Sequence, residues 1–168
     1  MKEIFGFDAF SPAEIANRIE NIGIVKARLP ILTMIMLGIL AGVFIGLGAL
    51  SFTLVISDSS LSFATGRILG GLTFSIGLIL VVIAGAELFT GNNLLAMAWA
   101  DGKIRTSEVL KNWVIVCFSN FIGACLLAFL VSNSGHLAMN NGGIETQYLK
   151  IAVAKCTISP YNAFFSGV

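Results

Sequence analysis

The chain has 168 residues, 57% of them hydrophobic and 11% charged, where soluble domains run at roughly 45–50% and about 25%. A mean hydropathy of +0.92, concentrated in runs long enough to cross a hydrocarbon core, predicts an all-α integral membrane protein, since each crossing takes about 20 helical residues. Ten Lys+Arg against nine Asp+Glu, a net charge of +1, leave no basic surplus for a phosphate backbone, so no nucleic acid is expected as partner. Cys117, Cys125 and Cys156 have no zinc-ligand spacing. The first two lie too far apart on one apolar helix for a disulfide, and all three are expected to pack as small apolar residues. The N-terminus carries acids and no uninterrupted apolar run. No cleavable signal is expected there, and the first span is expected to direct insertion.

Residues 11–28 open with Ser11-Pro12-Ala13-Glu14, an N-cap serine, a proline at the first helical position and a glutamate three residues after the cap. A short amphipathic helix follows, with Ile15, Ile19 and Ile22 on one face, expected to lie along the membrane surface or against a neighbour. Residues 1–28 therefore form an N-terminal region and 29–168 a transmembrane domain. Residues 29–56 carry no charge and form the first span, with Gly38, Gly42 and Gly46 opening a groove for a neighbouring helix. The second segment, 68–98, is longer than one straight span and holds Glu87, Thr90, Gly91, Asn92 and Asn93 midway. It is expected to be broken, and irregular backbone at membrane depth implies a lined cavity. A third span covers 113–132, a loop covers 133–160, and a fourth span starts at 161–168. Its eight residues reach only about 12 Å, short of a hydrocarbon core of roughly 30 Å. Lys2, Arg18, Lys26, Arg28, Lys103, Arg105 and Lys111 fall on one side and Arg67, Lys150 and Lys155 on the other. By the positive-inside rule the N-terminus is cytoplasmic and the loop 133–160 faces outward.

Glu87 is the one charge within a membrane segment, costly there unless protonated or paired. Two readings stand: it satisfies backbone donors freed by the break, or it faces a permeation path. Thr90, Asn92 and Asn93 can cap the half-helix that follows or donate to an anion at its N-terminus. Leu88 and Phe89 suit a dry constriction beside a wet loop, with ordinary core packing as the plainer alternative. His136 reads as a solvated loop residue, and Lys155 by charge alone as an interfacial anchor. No nucleophile–base arrangement and no phosphate-cradling glycine motif is found, so neither an enzyme nor a cofactor is expected.

Phe10-Ser11-Pro12-Ala13-Glu14, Val25-Lys26-Ala27, the run Gly70-Gly71-Leu72-Thr73-Phe74-Ser75-Ile76-Gly77-Leu78-Ile79-Leu80, and above all Gly85-Ala86-Glu87-Leu88-Phe89-Thr90-Gly91-Asn92 resemble the formate/nitrite transporter family. Lys111-Asn112-Trp113 and Asn120-Phe121-Ile122-Gly123-Ala124 extend the resemblance over essentially the whole chain. It implies an aquaporin-like helical bundle in the cytoplasmic (inner) membrane, assembled as a homopentamer in the lipid bilayer. Each protomer would hold one pore for small monovalent anions such as formate, nitrite or hydrosulfide, passive or proton-linked. By motif position Phe74 would stand at the outer constriction and Leu78, Leu88 and Phe89 at the inner one. Thr90, with Glu87, Gly91 and Asn92, would belong to the omega-shaped loop at the break, and Lys155 to a positive outer funnel. The resemblance thus moves Lys155 from anchor to funnel.

Family members have six spans in two inverted halves, with the pore histidine in the second. His136 does not match that position. The chain is therefore expected to be the first half of a longer channel, or a truncated copy that does not conduct alone. The rival reading is a non-conducting membrane scaffold whose glycine-lined helices bind other helices.

Overall fold

The computed structural model of the protein describes residues 10–167. Residues 1–9, Lys2 among the counted charges, and Val168 lie outside the described residues. The elements in chain order are α1 (Pro12–Ala27), α2 (Ile31–Ile56), α3 (Phe63–Ala84), a 3-10 turn at Gly91–Leu94, α4 (Leu95–Ala100), α5 (Thr106–Asn133), α6 (Gly143–Thr157) and α7 (Pro160–Gly167). No strand occurs among the described residues.

The capping box forms as its spacing demands. Ser11 Oγ accepts from the Glu14 N–H, and the Glu14 carboxylate accepts from the Ser11 N–H at 2.8 Å, holding that carboxyl below the usual carboxylate range. α2, α3 and α5 are long and apolar enough to cross a membrane, with mean hydropathies of 2.4, 2.2 and 2.5. Only 22%, 17% and 17% of those apolar windows is buried within the chain, so their remaining surface requires lipid or other protein as cover. The helices overrun several expected bounds. α3 starts at Phe63 and includes Arg67, and α5 starts at Thr106, because the Glu108 carboxylate accepts from the Arg105 N–H and nucleates its first turn outside the apolar run.

The chain packs as two compact units. The first draws on residues up to Val43 and on Val81–Ala124. Its apolar centre is Ala27, Leu95, Ala98, Ile104 and Val109, with Ile24 and Trp113 against it. Gly23 of α1 meets Ala98 of α4 so closely that a Cβ at Gly23 would stand 3.3 Å from the alanine methyl. The buried stripe of α1 is thus its small residues Gly23 and Ala27, while Ile15 and Ile22 of the expected apolar face stay exposed. α2 and α5 cross where Gly38 and Gly42 meet Ser119 and Asn120, and a Cβ at Gly42 would fall on the Asn120 carbonyl oxygen. Lys103 pairs with Glu20 of α1 and with Asp101, at 2.9 Å for the latter, which raises the Lys103 pKa.

The second unit comprises Phe44–Leu80 and Cys125–Val168. Here α2 and α3 touch through Gly48 and Gly77, where a Cβ on either would stand 2.7 Å from the carbonyl oxygen of Phe74 or Phe44 respectively. Part of the expected loop 133–160 is instead the 15-residue α6, too short for a span. It docks through buried Ile144 and through Gln147, whose amide donates to the Ile56 carbonyl at 3.0 Å, beside a bond from Asn140 to the Ser57 carbonyl at 2.9 Å. His136 begins a short 3-10 turn in this stretch, and its Nε2 is buried, with no hydrogen-bond partner among the described residues, rather than solvated. The three cysteines are free and exposed, not packed inside the chain.

Candidate functional site

α3 ends at Ala84, and the chain turns at Gly85, whose φ of +62° lies in the left-handed region that glycine enters without penalty. From there to the 3-10 turn at Gly91–Leu94 the backbone leaves the helical ladder inside an apolar stretch. At membrane depth its polar groups need protein partners. The first unit supplies them. The Glu87 N–H donates to the Leu37 carbonyl of α2 at 3.2 Å. Asn120 of α5 serves both directions: its amide nitrogen donates to the carbonyls of Glu87 and Gly38, each at 2.8 Å, while its Oδ1 accepts from the Phe89 N–H at 2.9 Å.

The Glu87 side chain is 3% exposed and both its oxygens are engaged. Oε1 accepts from Lys26 Nζ at 2.9 Å and Oε2 from Asn92 Nδ2 at 2.7 Å. Lys26, in the last turn of α1, also donates to Asn92 Oδ1 at 3.1 Å. The fully buried Asn92 and Asn112 join through Asn92 Nδ2 and Asn112 Oδ1 at 2.8 Å, and the Asn112 amide returns to the Lys26 carbonyl at 3.1 Å. Trp113 Nε1 donates to the Asn92 carbonyl at 3.0 Å. The buried carboxylate is paired with the part-buried Lys26 ammonium, and the Asn92 amide bonds both partners, the condition under which a carboxylate is tolerated away from water. The reading in which Glu87 itself satisfies the broken backbone is corrected. Asn120 and the Leu37 carbonyl do that, leaving the carboxylate to Lys26 and Asn92.

The expected cap is corrected as well. Thr90 precedes the 3-10 turn with αR backbone, φ −64° and ψ −36°, rather than the extended backbone a capping residue needs, and its side chain makes no capping bond. The Asn92 amide is committed to Glu87 and Asn112, and Asn93 is exposed. Thr90 and Gly91 are exposed, a Cβ at Gly91 would meet nothing within 4 Å, and Leu88 and Phe89 beside them are half-buried. The turn therefore holds a fixed inner side, Glu87 and Asn92, and an open outer side, Thr90 and Gly91.

Phe74, Leu78 and Lys155 belong to the second unit. Phe74 and Leu78, 38% and 50% exposed, share a face of α3 one turn apart. Lys155 lies exposed in the last turn of α6 and is in no ion pair among the described residues. The polar cluster depends on Lys26, Asn112, Trp113 and Asn120, none of which the sequence singled out for a role. The available signal was an asparagine, Asn120, in an otherwise apolar span.

The formate/nitrite transporter family model matches residues 13–168. The chain belongs to this family. It is 38% identical over 143 residues to the formate channel FocA of Escherichia coli (strain K12), covering 84% of this chain and 50% of that protein. It is 40% identical over 146 residues to the formate channel BtFdhC of Bacillus thuringiensis, covering 85% and 54%. Among solved structures it is similar to a pentameric formate channel with formate bound, with a TM-score of 0.71, 34% identity, and coverage of 77% of this chain and 51% of that one. The chain spans about half the length of these relatives. Family and apolar helices together make this an integral membrane protein with the helical fold of the formate/nitrite transporters.

Proposed function

We propose that this chain forms part of a channel for small monovalent anions, formate, nitrite or hydrosulfide, and carries no enzymatic activity. The observation that carries the reading is the break after α3, pinned on one side by buried Glu87 and Asn92 with part-buried Lys26, and open on the other at Thr90. A small anion loses much of its hydration energy in an apolar constriction, whereas its neutral conjugate acid loses far less. Leu88 and Phe89 supply the apolar side of such a passage and the Thr90 hydroxyl the first polar group beyond it. In the second unit, motif resemblance assigns Phe74 and Leu78 to constrictions and Lys155 to an outer funnel whose charge gathers anions. Glu87 and Asn92 hold the loop rather than contact the anion, and Gly91 belongs with Thr90 to its open side.

In this reading the protein sits in the inner membrane as a homopentamer, a state supported by the pentameric relative. Residues 1–28 are cytoplasmic and 29–168 belong to the channel domain, supported by the seven-to-three charge asymmetry of the loops. The test is isotopic formate influx into proteoliposomes holding the native protein. Thr90→Val is expected to slow influx about tenfold or more, with Ser132→Ala, at the far end of α5, as the unaffected control. Equal rates in wild type and Thr90→Val would overturn the reading.

A further inference from the structure

We infer that a cleft at the α2–α3 connection, within the second unit, binds the zwitterionic headgroup of an amino-phospholipid, phosphate on Arg67 and primary ammonium on Asp58. The cleft holds about 150 Å³ and is lined by both charged residues together with Ile56, Ser62, Phe63 and Gln147. It carries two opposite charges that do not neutralise each other. Arg67 is in no ion pair among the described residues, and its guanidinium is steadied instead over the rings of Phe63 and Phe52, 5.3 and 5.9 Å from their centroids. Asp58 Oδ1 accepts from the Ser60 N–H at 2.8 Å, and the bonds to Ser60 hold the carboxyl ionised below its usual range. The Gln147 amide is already committed to the Ile56 carbonyl. The two charges are thus left to a ligand carrying both signs.

Place decides the source of that ligand. Two apolar helices end and begin at Ile56 and Phe63, so the connection lies where spans leave the hydrocarbon, at headgroup level. Below Arg67 the flank of α3 offers acyl chains the exposed side chains of Ile68 and Leu72, 65% and 64% exposed. A planar guanidinium recognises a phosphate in bidentate fashion, and a carboxylate hydrogen-bonds a primary ammonium but not a quaternary one. The cleft therefore favours phosphatidylethanolamine over phosphatidylcholine, which lacks N–H donors, and over phosphatidylglycerol, whose lone negative charge meets Asp58. This inference rests on the membrane reading of α2 and α3 and not on the anion proposal.

The test is native mass spectrometry of the purified protein in detergent with equimolar dioleoyl phosphatidylethanolamine, phosphatidylcholine and phosphatidylglycerol. Wild type is expected to retain phosphatidylethanolamine about tenfold over phosphatidylglycerol. Asp58→Asn, a change at an exposed loop position, should erase that preference while leaving phosphatidylcholine retention in place. Arg67→Gln should lower retention of all three lipids. Indifference of the wild type among the three, or a preference that Asp58→Asn leaves unchanged, would overturn the inference. So would retention of soluble O-phosphoethanolamine equal to that of the lipid, which would remove the lipid as the source. Formate influx measured on the same variants keeps the two proposals separable, since neither residue is placed in the anion path.

Discussion

The two units satisfy their buried polar side chains differently. In the first, Glu87, Asn92 and Asn112 bond across elements, from the turn to α1 and α5. In the second, buried Thr53 and Ser57 donate back to carbonyls of α2, Ala49 at 2.8 Å and Leu54 at 2.8 Å, the only bonds across elements run from Asn140 and Gln147 to the end of α2, and no ion pair occurs there among the described residues. The contrast shows what each arrangement is for. Locally satisfied hydroxyls let helices pack by shape alone, whereas a shared ion pair and amides hold an irregular turn at one place and one only.

The largest effect expected from this contrast comes from Lys26→Met, which strands the Glu87 carboxylate in a buried site and should destabilise the protein by about 3 kcal/mol or more. Adding Glu87→Leu should recover most of that loss. A double variant as unstable as the sum of the singles, read by thermal unfolding in detergent, would show that the pair is not coupled. Asn120→Leu comes next, leaving the Phe89 N–H and the Glu87 carbonyl without their partner at a cost of about 1–3 kcal/mol. Hydrogen exchange should quicken at the turn while the second unit keeps its protection.

For the second unit, Gly77→Val drives a side chain against the Phe44 carbonyl and should cost about 1–3 kcal/mol. Thr53→Val, which removes only a bond within one helix, should change stability by less than about 1 kcal/mol. If Thr53→Val proved the more damaging of the two, packing by shape would be the wrong description of that unit. The smallest effect concerns the start of α1. Glu14 titrates lower in the folded chain because of its bonds to Ser11, so the capping contribution is present above the ordinary glutamate value and lost as pH falls through the depressed one. Protection factors of the first-turn amides of α1, the measured exchange rates referred to the intrinsic rate at each pH, should fall on acidification in wild type and stay constant with pH in Glu14→Gln.

The spans and the break were legible because they are compositional: long charge-free runs, and one interrupted by Glu87, Thr90 and two asparagines. Motif resemblance then named the family, and the match over residues 13–168 agrees with it. The partners of Glu87 were not legible. Lys26 lies 61 residues away and Asn112 and Asn120 on a later helix, so only tertiary packing brings them together. α6 escaped notice because its apolar residues are interspersed with Glu145, Lys150 and Lys155, too mixed for a span and masked by the turn-forming Asn140-Asn141-Gly142 before it. The isoleucine face of α1 misled for a related reason: close approach to α4 selects the small residues Gly23 and Ala27, and apolar periodicity does not register a glycine.

In the proposed channel the open side of the turn, at Thr90, faces the aqueous path of the anion. This placement is tested most directly by Thr90→Cys in a protein whose Cys117, Cys125 and Cys156 are replaced by alanine, treated with a small water-soluble thiol reagent during formate influx. Modification is expected to block influx, and formate to slow the modification. Rapid modification with influx unchanged, or a thiol that never reacts, would contradict it.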